Sequence, residues 1–316
     1  LGWRLPLYPG KQGLHIILRF QLLTYLKQQQ NMNFKNIKYV ALAFAAVAMT
    51  ACDEKDADER YTYVPPVTAE RGVLLEDFTG QACVNCPNAT EEIHELQEHY
   101  GDKVVAVGIH SGQFSKKPPR YNNPYPLWTS VGDEYFNHWN ISSQPKGIIN
   151  RNGGEMVYQS WASTVEQALQ EKAPMSIEVT NKYDESTNTL KISTRLTALP
   201  GNTVDGKLQL WLIQDGIVGT QYFTGNVIDK EYVHNHVFRF AANGTWGEDI
   251  KLADSESKVV EKTVDLSAKL TELRGENKDA PDFVPSNMSV VAFVYNSYGV
   301  QNVVQVAVVP KQASNN

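Results

Sequence analysis

The sequence predicts an α/β domain followed by an all-β domain of antiparallel strands. Over residues 71–173, two short apolar runs flank a segment with helical periodicity, and the whole region predicts the order β-α-β, α, β-β, α. From Met175 onwards, apolar and polar residues alternate, which is the period of half-buried strands. A C-x-x-C motif, Cys83 to Cys86, lies where the first apolar run meets the helical pattern.

The pattern of residues 1–51 indicates a signal for export, and we do not expect these residues to belong to a folded domain. Met32 is the expected start, so residues 1–31 are interpreted as translated upstream sequence, with a membrane-surface segment over residues 15–26 as the alternative. Residues 32–51 join a short basic segment to an apolar run that suits a secretory signal and is shorter than the roughly 20 residues of a membrane span.

Small residues precede Cys52, an arrangement that resembles a bacterial lipobox. We therefore expect Cys52 to carry lipid, to become the mature N-terminus and to anchor the protein to a membrane. An ordinary signal peptide with a chance cysteine is the alternative.

Residues 52–70 predict a tether. The charged run after Cys52 cannot bury enough apolar surface to fold, and Pro65-Pro66 indicate an extended linker. An acidic stretch in this place resembles a surface-export signal of Bacteroidetes lipoproteins, whereas Asp53 by itself would indicate inner-membrane retention in enteric bacteria. We favour the outer membrane because the acidic run is longer than one residue, and leave open which face carries the protein.

The charge balance disfavours nucleic acid as a partner. Without residues 1–51 the chain keeps 23 basic against 35 acidic residues, a net charge of −12, and nucleic-acid binding requires a basic footprint. The same charge disfavours anionic lipid head groups beyond the anchor. With three cysteines in all, the chain does not depend on a disulfide framework.

The elements of the first domain can be assigned in order. Residues 73–78 predict a buried strand, residues 85–100 a helix with Pro87 in its first turn, and residues 104–109 a second buried strand, parallel to the first. An irregular insertion over 111–130 precedes a short helix near 133–139. A turn at Pro145 leads into a strand, a hairpin turn at 151–154, a return strand at 155–158 and a last helix at 161–172.

Three features of this region together resemble the thioredoxin family, over roughly residues 71–173. The C-x-x-C opens a helix after a buried strand, Asp77 lies on that strand six residues before Cys83, and Pro145 precedes an apolar strand. The resemblance implies a buried acid near the thiols and a cis-proline opposite them. Ala82 and the Val84-Asn85 dipeptide depart from the family pattern and leave the direction of electron flow open.

The resemblance implies a role for each of these residues. Cys83, expected to be the more exposed, would attack a substrate disulfide as the thiolate, which a helix N-terminus favours, and Cys86 would resolve the mixed disulfide. Asp77 would accept the proton of Cys86. Pro145 and the backbone of Gln144 would face the substrate, and the aromatic insertion that includes Trp128 would rim its groove. The redox-active disulfide is then the sole cofactor, and no metal is expected.

A purely structural role remains an alternative for each of these residues. The C-x-x-C would serve as a plain staple, although closing so short a loop stabilises the chain by only about 2 kcal/mol. A zinc site needs about four ligands, and His94, His99 and His110 have no diagnostic spacing. Asp77 would then be a strand-end polar residue, Pro145 a trans turn proline, and the insertion a loop packed on itself.

The second domain, residues 174–310, predicts an antiparallel sandwich of the immunoglobulin-like type, with residues 311–316 as a tail. About seven strand candidates alternate with turn-rich segments: residues 176–180, 190–194, 208–213, 233–240, 259–266, 289–295 and 303–309. His234 and His236 would share a face if one strand held both, but two ligands do not make a metal site. The segment 232–239, with the lipobox and the C-x-x-C-P motif, resembles the Omp28-related outer-membrane lipoproteins of Bacteroidetes, and the resemblance covers residues 32–310.

Two functions follow from these patterns. The first is a lipid-anchored envelope protein that exchanges disulfides with protein or peptide partners. The second is a non-enzymatic surface protein in which the thioredoxin-like unit is a scaffold and the sandwich binds a partner. Whether the chain is an enzyme, its substrate, its electron donor and its oligomeric state are left open.

Overall fold

The computed structural model describes residues 68–116 and 126–310, which belong to one compact unit. Four helices are present in these ranges: α1 (Cys86–Tyr100), α2 (Ser130–His138), α3 (Trp161–Leu169) and α4 (Leu266–Glu276). The strands, in chain order, are β1 (Val73–Thr79), β2 (Val104–His110), β3 (Lys146–Ile149), β4 (Asn152–Met156), β5 (Met175–Asp184), β6 (Thr189–Ala198), β7 (Val204–Gln214), β8 (Ile217–Phe223), β9 (Val227–His234), β10 (Val237–Ala241), β11 (Glu248–Leu252), β12 (Ser257–Asp265), β13 (Met288–Asn296) and β14 (Gly299–Ala307).

Most of these strands form one mixed, nine-stranded sheet in the order β14-β13-β7-β10-β2-β1-β3-β4, with β11 paired to β7. β1 and β2 are parallel, in register from Val73 opposite Val104, as the predicted β-α-β unit requires. The two halves of the sheet meet where β10 pairs with β2 in parallel, and there the Gly108 N–H donates to the His236 carbonyl at 2.9 Å. Strands from both predicted regions therefore belong to the same sheet.

Each face of the sheet is covered, which explains the many uninterrupted apolar runs. On one face, α1 and α3 pack on β1 and β2, with Ile93 and Trp161 fully buried between them. On the same face further along, β7 and β13 pack on a three-stranded sheet of β12, β6 and β5. On the other face, α2 contributes Tyr135 to a continuous core that runs from β1 to β14.

The predicted immunoglobulin-like sandwich is not confirmed. β5, β6 and β12 do face another sheet, but that sheet is the nine-stranded one, which β1 to β4 complete. The reason is visible in β7, where Leu210 and Leu212 face the three-stranded sheet while Trp211 and Ile213 enter the α2 core. A strand that is apolar on both sides belongs inside a layered structure, not on one wall of a free-standing sandwich.

Several elements differ from the sequence-based expectation. β8, β11 and α4 were not predicted, and the predicted strand over residues 233–240 is divided into β9 and β10. The break is at His236, whose φ of 46° is left-handed and interrupts extended backbone. His234 and His236 are therefore not alternate residues of one strand, and the argument that one strand face holds both does not apply.

The β3–β4 turn also lies elsewhere than predicted. It is formed by Asn150 and Arg151, whose φ values of 50° and 53° are both left-handed, and not by residues 151–154. Residues 152–156 already form the return strand. Among the described residues, no helix is both long and apolar enough to cross a membrane.

Candidate functional site

Cys83 and Cys86 form a disulfide at the start of α1. Cys86 is the first residue of the helix, Pro87 follows it, and Asn85 at the N-cap makes no side-chain capping hydrogen bond. Cys83 is held by a turn in which its N–H donates to the Gly80 carbonyl at 3.0 Å. Both cysteines are buried, Cys83 at 3% exposed and Cys86 at 1%, so the two differ little in exposure.

The β8–β9 hairpin lies against the loop that carries Cys83. The Gln221 side-chain amide donates to the Cys83 carbonyl at 3.0 Å, and the Tyr222 N–H donates to the Gln81 carbonyl at 2.9 Å. Gln81 returns a hydrogen bond from its side chain to the Thr220 carbonyl at 3.3 Å. The hairpin is thus fastened to the loop that carries Cys83, and sequence reasoning missed it because β8 was not recognised as a strand.

Asp77 lies beneath the disulfide, on the face of β1 that α1 covers. Its carboxyl is 2% exposed, and its Oδ1 has no hydrogen-bond partner among the described residues. Burial without a counter-charge raises the pKa of Asp77 to about 8. The sequence-based expectation of a buried acid near the thiols agrees with this position.

Two histidines adjoin Asp77. His110 ends β2 and His234 ends β9, both are 5% exposed, and their ring centroids are 5.4 Å apart. Burial is the main cause that lowers the pKa of His234 to about 4 and lowers that of His110 well below its ordinary value. His110 Nδ1 and His234 Nε2 have no hydrogen-bond partner within the described part of the chain.

These side chains meet in a small cavity of about 20 Å³, which Cys86 also lines. A volume of this size holds roughly one water molecule. In the ranges that the structure describes, no three His, Cys, Asp or Glu side chains are arranged to hold a metal ion. The cavity brings a carboxyl group and imidazole side chains close to Cys86. Its walls are formed by Asp77, Thr79, Cys86, Thr90, Ile93, Gly108, His110, Gln221, Tyr232, His234, Asn235 and His236.

Gln144 and Pro145 lie at the end of the strand that pairs with β1. The Gln144–Pro145 peptide bond is cis, as the resemblance implied. The Gln144 side chain faces inward: its amide donates to the Thr79 carbonyl at 2.6 Å and to the Ser111 carbonyl at 3.0 Å. This side chain links the ends of β1 and β2, so any contact of Gln144 with a substrate falls to its backbone.

Trp128 lies away from the cavity that Cys86 lines. It borders a separate surface pocket of about 280 Å³ together with Lys116, Pro126 and Asn277, and the Lys116 ammonium is 5.4 Å from its ring centre. The structure therefore does not bring Trp128 together with the disulfide. Cys52, which we expect to carry lipid, and the segment 117–125 lie outside the described residues.

A buried ion pair was missed altogether. Arg151 Nη2 donates to Glu76 Oε1 at 3.1 Å, with 1% and 0% of the two side chains exposed. Burial raises the pKa of Glu76, and the attraction of Arg151 opposes that rise. Six aromatic rings surround the guanidinium at 4.3–6.0 Å: Tyr135, Trp139, Trp211, Trp246, Phe293 and Tyr295. The sequence does not indicate this ion pair, because Arg151 lies in a turn, where side chains are usually exposed.

Comparison with known proteins shows where such a fold occurs. The structure is similar to HBP35 of Porphyromonas gingivalis, with a TM-score of 0.58, 17% identity and 78% of each chain covered. At that identity the likeness concerns the fold. Two curated relatives are NHL repeat-containing protein 2 of Gallus gallus, 25% identical over 130 residues, and its Bos taurus counterpart, 25% identical over 122. The match takes 38% and 35% of this chain but only 17% and 16% of those proteins.

The family assignment comes from the C-terminal part of the chain. Residues 132–312 match the model of the outer membrane protein Omp28, a segment that begins after the C-x-x-C and includes the β8–β9 hairpin with His234. The match covers more than half of the 316 residues. The chain therefore belongs to the Omp28 family, and it is an outer membrane protein of the cell envelope.

Proposed function

We propose that this outer membrane protein exchanges thiols and disulfides with protein or peptide partners, through a thioredoxin-like unit over residues 71–173. One observation carries the proposal: the Cys83–Cys86 disulfide opens α1 directly above a buried carboxyl, Asp77, that has no hydrogen-bond partner on Oδ1 within the described ranges. A disulfide that served only as a staple would give no reason to bury a lone acid beside it. Lipid on Cys52 would hold this unit at the membrane.

The chemistry takes place in two balanced steps. In the first, the Cys83 thiolate attacks a partner disulfide, forming a Cys83–partner mixed disulfide and releasing one partner thiolate. In the second, Cys86 loses its proton to the fraction of Asp77 that is ionised, which grows as the pH approaches the Asp77 pKa of about 8. Cys86 then attacks the Cys83 sulfur, which closes the Cys83–Cys86 disulfide and releases the second partner thiolate. The partner is reduced by two electrons and the protein dithiol is oxidised by two. Reversal of the same steps oxidises a partner dithiol.

The surface around the site supports a polypeptide partner. Val84, between the two cysteines, is 41% exposed, and Val218 on the covering hairpin is 50% exposed. An apolar surface beside a reactive disulfide suits an extended segment of another protein. Because the hairpin buries the Cys83 sulfur, partner binding has to displace Gln221 from the Cys83 carbonyl.

The test is disulfide reduction by the purified chain, followed as insulin precipitation with dithiothreitol as electron donor. We expect the wild type to accelerate precipitation and Cys83→Ser to abolish the acceleration. Equal rates for the wild type, Cys83→Ser and Cys86→Ser would refute the proposal. The reduction potential of the pair then gives the direction, since a value near thioredoxin's indicates a reductase and one near the strong periplasmic oxidants an oxidase.

One observation supports a non-enzymatic envelope protein as the second candidate, namely the burial of both sulfurs. In that case the disulfide would be a fixed part of a scaffold. Thiol trapping in cells separates the two functions: a Cys86→Ser chain that exchanges disulfides accumulates mixed disulfides through Cys83, whereas a scaffold accumulates none.

A further inference from the structure

We propose that His110, His234 and His236 form a proton relay that connects Asp77 and Cys86 to an open groove on the surface, a role that rests on the proposed disulfide exchange. His234 and His236 come from the part of the chain beyond residue 173, which supplies the relay's outer half. The relay carries the proton that Cys86 must lose before it can attack the Cys83 sulfur.

The first argument is the shared cavity. Cys86, Asp77, His110, His234 and His236 all line the same 20 Å³ space. The atoms Asp77 Oδ1, His110 Nδ1, His234 Nε2 and His236 Nε2 are buried and have no hydrogen-bond partner among the described residues. Buried polar atoms are normally paired. The four atoms belong to side chains that line a space holding about one water molecule, an arrangement that allows a proton to pass through that molecule.

The second argument is that the cavity has an outlet. His236 and Asn235 line both the small cavity and a separate open groove of about 760 Å³. In the groove, His236 Nδ1 lies 3.8 Å from Asp215 Oδ1, and the Asp215 side chain is 47% exposed. His236 thus has Nδ1 near an exposed carboxylate and a buried Nε2 without a partner among the described residues, a combination that suits a proton exit.

The third argument concerns protonation. At neutral pH the relay histidines are uncharged, because burial lowers the pKa of His234 and of His236 to about 4. In His110 and His234 one imidazole nitrogen is hydrogen-bonded to backbone, at Gly108 and Thr220, and the other nitrogen has no partner among the described residues, so that nitrogen can accept a proton and give it back. Other charged or titratable groups face the relay from the neighbouring elements: His94, Asp215, Asp229, Tyr232 and Arg239.

The proton balance of the step is simple. Cys86–SH attacks a Cys83–S–S–R mixed disulfide, the Cys83–Cys86 bond forms, RS⁻ leaves, and one proton passes to Asp77. The relay then moves this proton to the groove, where water or Asp215 takes it. The attack of Cys83 on the partner needs no proton transfer through this cavity, so the relay acts on the second step alone.

The experiment uses the reduced chain and 5,5′-dithiobis(2-nitrobenzoate), an aromatic disulfide. Each protein dithiol releases two coloured thiolates, the first when Cys83 attacks and the second when Cys86 closes the disulfide. Stopped-flow absorbance at neutral pH separates the two. We expect His234→Gln and His236→Asn to slow the second release about tenfold and to leave the first unchanged. The solvent deuterium isotope effect on the second release should increase, a readout that a purely structural role would not alter.

Two features keep the outcome clear. Asn is compatible with the left-handed φ of 46° at His236, so this variant keeps the fold even if His234→Gln does not, and His99→Gln, exposed at the far end of α1, is the matched control. A second release that stays unchanged in both relay variants would overturn the relay and leave the proposed function intact. A wild-type chain that gives no second release would overturn the proposed function and the relay together.

Discussion

Glu76 and Asp77 are adjacent on β1, yet their carboxyl groups lie on opposite faces of the sheet, and only the carboxyl of Glu76 is paired with a positive charge. Glu76 is bound by Arg151 at 3.1 Å inside the aromatic core, whereas Asp77 Oδ1, on the α1 side, has no partner among the described residues. The alternation of a strand places two buried acids back to back. Glu76 forms a buried ion pair, and Asp77 is buried without a counter-charge.

The Glu76–Arg151 pair predicts a large loss of stability when either partner is removed. Arg151→Met or Glu76→Gln should lower the free energy of unfolding by about 3–5 kcal/mol, because each leaves a buried group without its partner. Urea unfolding followed by tryptophan fluorescence measures the loss. Lys251→Met removes one side of the exposed Lys251–Asp205 pair and should cost about 0–1 kcal/mol. Similar values for both pairs would contradict the prediction.

Asp77 predicts a loss of stability as the pH rises from about 4 to about 8. The folded chain keeps this carboxyl protonated up to about pH 8, whereas the unfolded chain releases the proton near pH 3.8. Between these values the folded state binds more protons, so Asp77 lowers stability by about 1.4 kcal/mol for each pH unit of increase. In urea unfolding from pH 5 to 9, the free energy of unfolding of Asp77→Asn should lack this decline. A wild-type and Asp77→Asn pair with parallel pH curves would refute it.

The buried histidines predict the opposite slope in acid. The pKa of His234 is about 4 in the folded chain and 6.5 when unfolded, so the unfolded state binds more protons between these values. Stability therefore falls as the pH drops from 6.5 towards 4. His234→Gln should reduce this decline by about 1.4 kcal/mol per pH unit. His99→Gln, an exposed histidine, controls for the loss of an imidazole, and an equal effect of the two variants would speak against the prediction.

The hydrogen bond from Gln221 to Cys83 predicts how fast the disulfide is reduced. Gln221→Ala removes the bond to the Cys83 carbonyl, worth about 1 kcal/mol, which should make reduction by excess dithiothreitol about fivefold faster. The measurement is the rate of thiol appearance under identical denaturant-free conditions. Thr224→Ala, at the exposed tip of the same hairpin, should leave the rate unchanged. A rate for Gln221→Ala equal to that of wild type would show that the hairpin does not limit access.

Local patterns predicted much of the first region. β1, α1 and β2 were placed within one or two residues of their bounds, because apolar runs, Pro87 and Gly101 are short-range signals. The period-two segments likewise located β5 and β6. The predicted acid, Asp77, lies beneath the predicted disulfide because a β-α-β unit fixes where a strand end and the next helix meet.

The pairing of strands that are distant in the chain could not be predicted from the sequence. The pairing of β10 with β2 depends on contacts between residues more than a hundred positions apart, and no local period encodes it. The same limit hid the partner of Arg151, whose position in a turn suggested an exposed side chain. It also hid the hairpin over Cys83, because β8 and β9 hold polar and glycine residues that interrupt the strand pattern.

The pairing of β10 with β2 also sets the order in which the chain can complete its fold. A polypeptide exported from its N-terminal end delivers β1 and β2 to the periplasm well before Val237 arrives. During that interval β2 presents an unpaired edge and the apolar Val105 and Val107, which other unfinished chains can bind. The open edge of β2 is thus covered only after β10 has been delivered, and β13 and β14 join the same sheet later still.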